Sequence, residues 1–170
     1  MFSEAFAKGF RYELANREFA LRVVTRLADR VTGEEERSFW STYSELERFN
    51  SIHYRAAAQL WGFDIQPGYL TKLKAWVVGT LLIILQGPML KLVYDETVKY
   101  VDSLRNLRSM GPPDASLFLN YVVEQEELQV RMMQMAFTER FSEVSDIVDA
   151  FFLKYNGMLP RISGLQEFEI

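Results

Sequence analysis

The chain contains no cysteine and a single histidine, His53. Disulfides, thiolate metal sites and thiol nucleophiles are therefore excluded, as is any mechanism that needs two imidazoles. A serine nucleophile would have only His53 as its imidazole base, and neither a glycine-rich phosphate loop nor zinc-ligand spacing occurs. Basic charge is not in excess. The 19 Lys and Arg residues are outnumbered by 23 Asp and Glu, giving a net charge of -4, and the two signs are interleaved. Nucleic acid is thus not an expected partner. The N-terminus, Met1-Phe2-Ser3-Glu4, lacks the basic region and long apolar stretch of a secretory signal, which points to a cytoplasmic location. Proline is scarce, at five residues, and leaves long intervals open to uninterrupted helix.

With 49% hydrophobic and 25% charged residues, the 170-residue chain has the composition of a globular protein and enough length for one domain with a sizeable core. Ser3 is a good N-cap, and Phe6, Phe10, Leu14, Leu21, Val24 and Leu27 recur at helical spacing, so a first helix is expected over 4–31. Thr32 followed by Glu35 has the form of a capping box, which starts a second helix at about Gly33; Gly62 is its natural left-handed C-cap. A third helix is expected from near Tyr69, kinked or broken at Gln86-Gly87-Pro88 and resuming over 89–109. Gly111-Pro112-Pro113-Asp114 reads as a loop, 115–141 as a fourth helix, and 142–155 as a short fifth. The helical domain is expected over 1–157, with 158–170 an irregular tail.

The apolar run 75–93 is interrupted by Gln86, Gly87, Pro88 and Lys91. Its clean core falls short of the roughly 20 residues a spanning helix needs. It reads as a buried central helix, with peripheral membrane association the lesser alternative.

Each long helix carries a carboxylate on its apolar stripe. Glu13 falls in line with Phe6, Phe10, Ala20 and Val24, and Glu47 and Asn50 in line with Tyr43, Tyr54 and Ala57. Glu96 falls between Leu92 and Tyr100, and Glu126 and Gln129 between Val122 and Met133. The second helix could instead turn Glu45 or Arg48 inward. Unpaired buried carboxylates cost several kcal/mol each, so converging ones must be protonated, paired with Arg or Lys, or bound to cations.

The order Glu, Glu-x-x-amide, Glu, Glu-x-x-amide resembles the ferritin-like di-iron and di-manganese carboxylate superfamily, in which two helices give one Glu each and two give Glu-x-x-His. The stretch Glu13-Leu14-Ala15-Asn16-Arg17-Glu18, then Leu27-Ala28 and the segment 39–53, is similar to the first helix pair of rubrerythrin-like proteins. The likeness covers about residues 3–140. It implies an all-α, ferritin-like up-and-down four-helix bundle with a kinked third helix and a short fifth helix. It further implies a carboxylate cluster of Glu13, Glu47, Glu96 and Glu126 that holds one or two divalent ions, iron or manganese, or none. Asn50 and Gln129 stand in the histidine positions, with His53, one turn beyond Asn50, as a substitute ligand. Both amides depart from the family pattern, since imidazole is the usual ligand of iron at such sites.

Two functions follow. In the favoured one, loss of both histidines has eroded the metal site, and the carboxylates are solvated or satisfied by Arg17, Lys99, tyrosine hydroxyls and water. The chain is then a non-catalytic binding or self-association module, a homo-oligomer or the companion of a protein partner, using the last helix and tail residues Leu165, Phe168 and Ile170. In the alternative it is a metal-dependent oxidoreductase with a dimetal centre, acting on a hydrophobic substrate against the third helix. His53 reads first as a structural histidine bonded to a neighbouring helix.

Overall fold

Ser3 Oγ accepts the Phe6 amide at 3.1 Å and so caps the first helix, α1, Glu4–Arg30. The computed structural model that shows this describes residues 2–64 and 86–156, the side chains of 86–89 excepted. The second helix, α2, spans Glu34–Trp61. Its N-cap is Gly33, without a side-chain bond, so the capping box expected of Thr32 is not formed. Glu34, Glu35 and Glu36 still fill the first turn, where the positive end of the helix dipole favours them. At the other end Gly62 takes the left-handed conformation, φ 70°, and its amide returns to the carbonyls of Ala58 and Gln59.

The remaining helices are α3, Gln86–Met110, α4, Ser116–Phe137, and α5, Val144–Tyr155, with short 3-10 turns at Pro113–Ala115 and Phe141–Glu143. Among the described residues all regular structure is helical. The fourth helix stops at Phe137, short of the expected 141. Glu139 turns the chain out of it with a positive φ of 55°, while the Arg140 amide bonds the Met135 carbonyl at 2.9 Å. The upstream part of the expected third helix, the bend expected at its junction with Gln86, and the tail 158–170 lie outside the described residues. No helix among the described residues is long and apolar enough to cross a membrane.

α1 packs along α2 and α3 along α4, each pair joined by a few residues and therefore antiparallel. α1 also meets α3, and α5 lies against α2 and α4. Gly9 marks the approach of α1 to α3, since a Cβ there would fall 2.8 Å from Leu107 Cδ1. At one end of the bundle the core is aromatic. Phe6 and Phe10 are fully buried, with Phe10 4.7 Å from the Trp61 ring and Trp61 5.6 Å from Phe118. Burying such a ring stabilises by about 1.5–3 kcal/mol. One and two turns further along α1 the same inward stripe changes character, and Glu13 and Arg17 replace the rings.

Candidate functional site

Arg17 sits one turn after Glu13 on the buried face of α1, only 7% exposed. Its guanidinium is surrounded by carboxylates from three helices. Nη1 donates to Glu47 Oε1 of α2 at 3.0 Å, and Nη2 lies 2.8 Å from Glu126 Oε2 of α4. Nε lies 3.1 Å from Glu13 Oε1, an ion pair not aligned as a hydrogen bond. All three carboxylates are at most 3% exposed.

A shell of amides and phenols ties the cage together. Gln125 of α4, fully buried, accepts through Oε1 from Arg17 Nη1, Asn50 Nδ2 and Gln129 Nε2 at 2.8–3.1 Å, and donates to Glu126 Oε2 at 2.9 Å. Gln129 also donates to Glu47 Oε1 at 2.6 Å and accepts the Tyr43 hydroxyl at 2.9 Å. Tyr54 and Tyr100 both donate to Glu13, the first at 2.6 Å, and Tyr121 donates to Asn50 Oδ1. The structure thus gathers Glu13, Glu47, Asn50, Glu126 and Gln129 around Arg17. α2 turns Glu47 and Asn50 inward and leaves Glu45 and Arg48 exposed.

Two expected site residues stand elsewhere. The Glu96 side chain is 63% exposed and pairs with Lys99 at 2.7 Å on the surface of α3. The buried line of α3 runs through Thr97, Val101, Leu104 and Leu107, a rotation of one position from the expected stripe, so the threonine faces inward and the glutamate does not. His53 is buried away from the cage, its ring 4.7 Å from Phe49 and 5.0 Å from Tyr121. Its Nδ1 has no hydrogen-bond partner, its ring makes an aromatic contact with α4 through Tyr121, and burial lowers its pKa. Gln125 is the member of the cage that the periodicity does not single out. Its only signal is its place between Val122 and Gln129 on the broad buried face of α4.

Three carboxylates facing one guanidinium leave negative charge in excess. Burial raises the Glu126 carboxyl to about 7, against the pull of Arg17 and with the help of Glu13 and Glu47. Burial also raises Glu47, again opposed by Arg17. Desolvation alone would lower Arg17, but Glu126, Glu47 and Glu13 together hold it well above its ordinary value. The cage therefore keeps its arginine charged and takes up a proton on Glu126 only as pH falls through about 7.

These residues do not fit the dimetal centre that the family likeness implies. The guanidinium occupies the point on which the carboxylates converge, Glu96 is turned away, and Asn50 and Gln129 are engaged with Gln125, Tyr121, Tyr43 and Glu47. Among the described residues no group of three or more His, Asp or Glu side chains is placed to hold a metal ion.

Beside the cage lies a cleft of about 460 Å³. Arg17, Tyr43, Glu96, Tyr100, Glu126 and Gln129 are among its polar lining, and Val24, Trp40, Val93 and Met133 among its apolar walls. A volume of this order suits a small-molecule site, typically roughly 300–1,000 Å³. No family model matches the chain, and comparison with curated proteins and with solved structures gives no match either.

Proposed function

We propose that this chain is a ferritin-like helical bundle in which a caged arginine stands where the family holds metal, and that it works as a non-catalytic binding module. The observation that carries the reading is Arg17 itself, paired at 2.8–3.1 Å with Glu13, Glu47 and Glu126. A fixed organic cation offers the carboxylates what a metal would, positive charge at their common focus, without an open coordination position or a redox couple. Buried ion clusters of this kind are costly to break and set a unique arrangement of the helices that carry them. The cleft beside the cage is the surface on which binding takes place.

Elemental analysis of protein produced in iron- and manganese-supplemented medium and purified without chelator tests this. The expected content is far below one ion per chain. One or two retained ions per chain, lost in Glu47→Ala and Glu126→Ala, would instead support the dimetal oxidoreductase.

A further inference from the structure

We infer that the cleft beside Arg17 binds a small organic cation, an ammonium group carried on an apolar body about the size of one ring. This rests on the binding reading and names its ligand class. Charge is the first argument. The acidic side chains lining the cleft are Glu126 and Glu96, and the basic one, Arg17, is already matched by three carboxylates. Behind this lining Glu47, bonded to that arginine and not itself a lining residue, keeps its buried Oε2 without a hydrogen-bond partner. An entering anion would meet surplus carboxylate and no uncommitted cation; an entering ammonium would relieve the surplus. Lys99, which holds Glu96 at the rim, is itself exposed and does not line the cleft.

Aromatic surface is the second argument. Trp40 stacks on Tyr43 with centroids 5.8 Å apart and planes 8° from parallel, and Tyr12 meets Tyr100 edge-on at 6.1 Å. All four rings line the cleft. The negative faces of such rings attract ammonium groups, and carboxylate joined to aromatic walls is the combination that selects them. The walls formed by Val24, Val93 and Met133 supply contact for a hydrocarbon body.

The test uses three probes that share a phenyl ring on a short chain: 2-phenylethylamine, neutral 2-phenylethanol and anionic 3-phenylpropionate. Each is titrated into the full chain at pH 8, where Glu126 is ionised, while the Trp40 indole N–H resonance, assigned with Trp40→Phe, is followed. The amine is expected to bind about tenfold more tightly than the alcohol, and the acid more weakly than either. In Glu126→Gln the amine should lose most of that advantage while the alcohol is unaffected. Tyr12→Ala, at an exposed rim position, should weaken the amine more than the alcohol, and it serves if the buried variant fails to fold. Equal binding of amine and alcohol, or preference for the acid, overturns the cation while leaving a binding module. Absence of binding by every probe also overturns it, as does a dimer whose interface covers Trp40. Stoichiometric metal would instead defeat the reading on which it rests.

Discussion

On α1, Phe6 and Phe10 and then Glu13 and Arg17 occupy successive turns of one buried stripe, yet they hold the bundle by opposite means. The rings at the aromatic end are individually replaceable contributors, because apolar burial is non-directional and roughly proportional to area. At the polar middle, Arg17, Glu47, Glu126, Gln125 and Gln129 share atoms, so each bond depends on the others. Stability there belongs to the set, and losing one member leaves several buried groups unmatched. The aromatic end should respond at any pH alike, and the middle cooperatively and with pH.

Replacing Arg17 by Met sharpens this contrast most. Three buried carboxylates lose their counter-charge, and the expected loss at pH 8 is about 5 kcal/mol, the upper end for an uncompensated buried charge. Denaturant unfolding at pH 5 should recover much of it as Glu126 and Glu47, both raised, protonate; an equal loss at both pH values would break the distinction. Phe10→Ala should cost about 4 kcal/mol for the ring and its cavity, unchanged between those pH values. A clear pH dependence in that variant would count against the contrast from the other side.

Glu126→Gln gives a smaller and opposite effect. Its folded-state pKa of about 7 lies above the ordinary 4.5, so from roughly pH 4.5 to 7 the native state binds more protons than the unfolded one. The associated stability is present below pH 4.5 and lost as pH rises through 7. Glutamine mimics the protonated form, so the wild type should lose on the order of 2–3 kcal/mol relative to the variant between pH 5 and 8. Glu47, also raised, acts in the same direction. A wild type more stable at pH 8 than at pH 5 would contradict this. Least affected should be Glu96→Gln, whose exposed pairing with Lys99 is worth well under about 1 kcal/mol, with no change in the pH profile.

Much of the architecture was legible in the chain because local chemistry determines it. Ser3 and Gly62 mark the ends of helices through capping groups that need no tertiary context. Glu13, Glu47, Asn50, Glu126 and Gln129 were readable as inward-facing because each lies among strongly apolar neighbours at helical spacing. Arg17 and the tyrosine hydroxyls were expected as one way of satisfying them, and the structure realises that way. Glu96 was misplaced because α3 has apolar residues on several sides, with Leu92 and Val98 exposed while Val101 and Leu104 are buried, so a turn of one position costs little in periodicity. Thr32 lost its capping role to Gly33, whose backbone alone makes the cap. Gln125 could not be foreseen as a hub, since its importance lies in partners drawn from two other helices and its own, among them Arg17, Asn50, Gln129 and Glu126.

The most direct test of the caged arginine is nitrogen-15 NMR of arginine side chains on protein made in metal-supplemented medium. One guanidinium, assigned by its disappearance in Arg17→Lys, should show N–H exchange with water far slower than the surface arginines, because all its neighbours are buried acceptors. An Arg17 signal that exchanges as fast as the surface residues would contradict the cage, and with it the proposal that an arginine stands where the ferritin-like family holds metal.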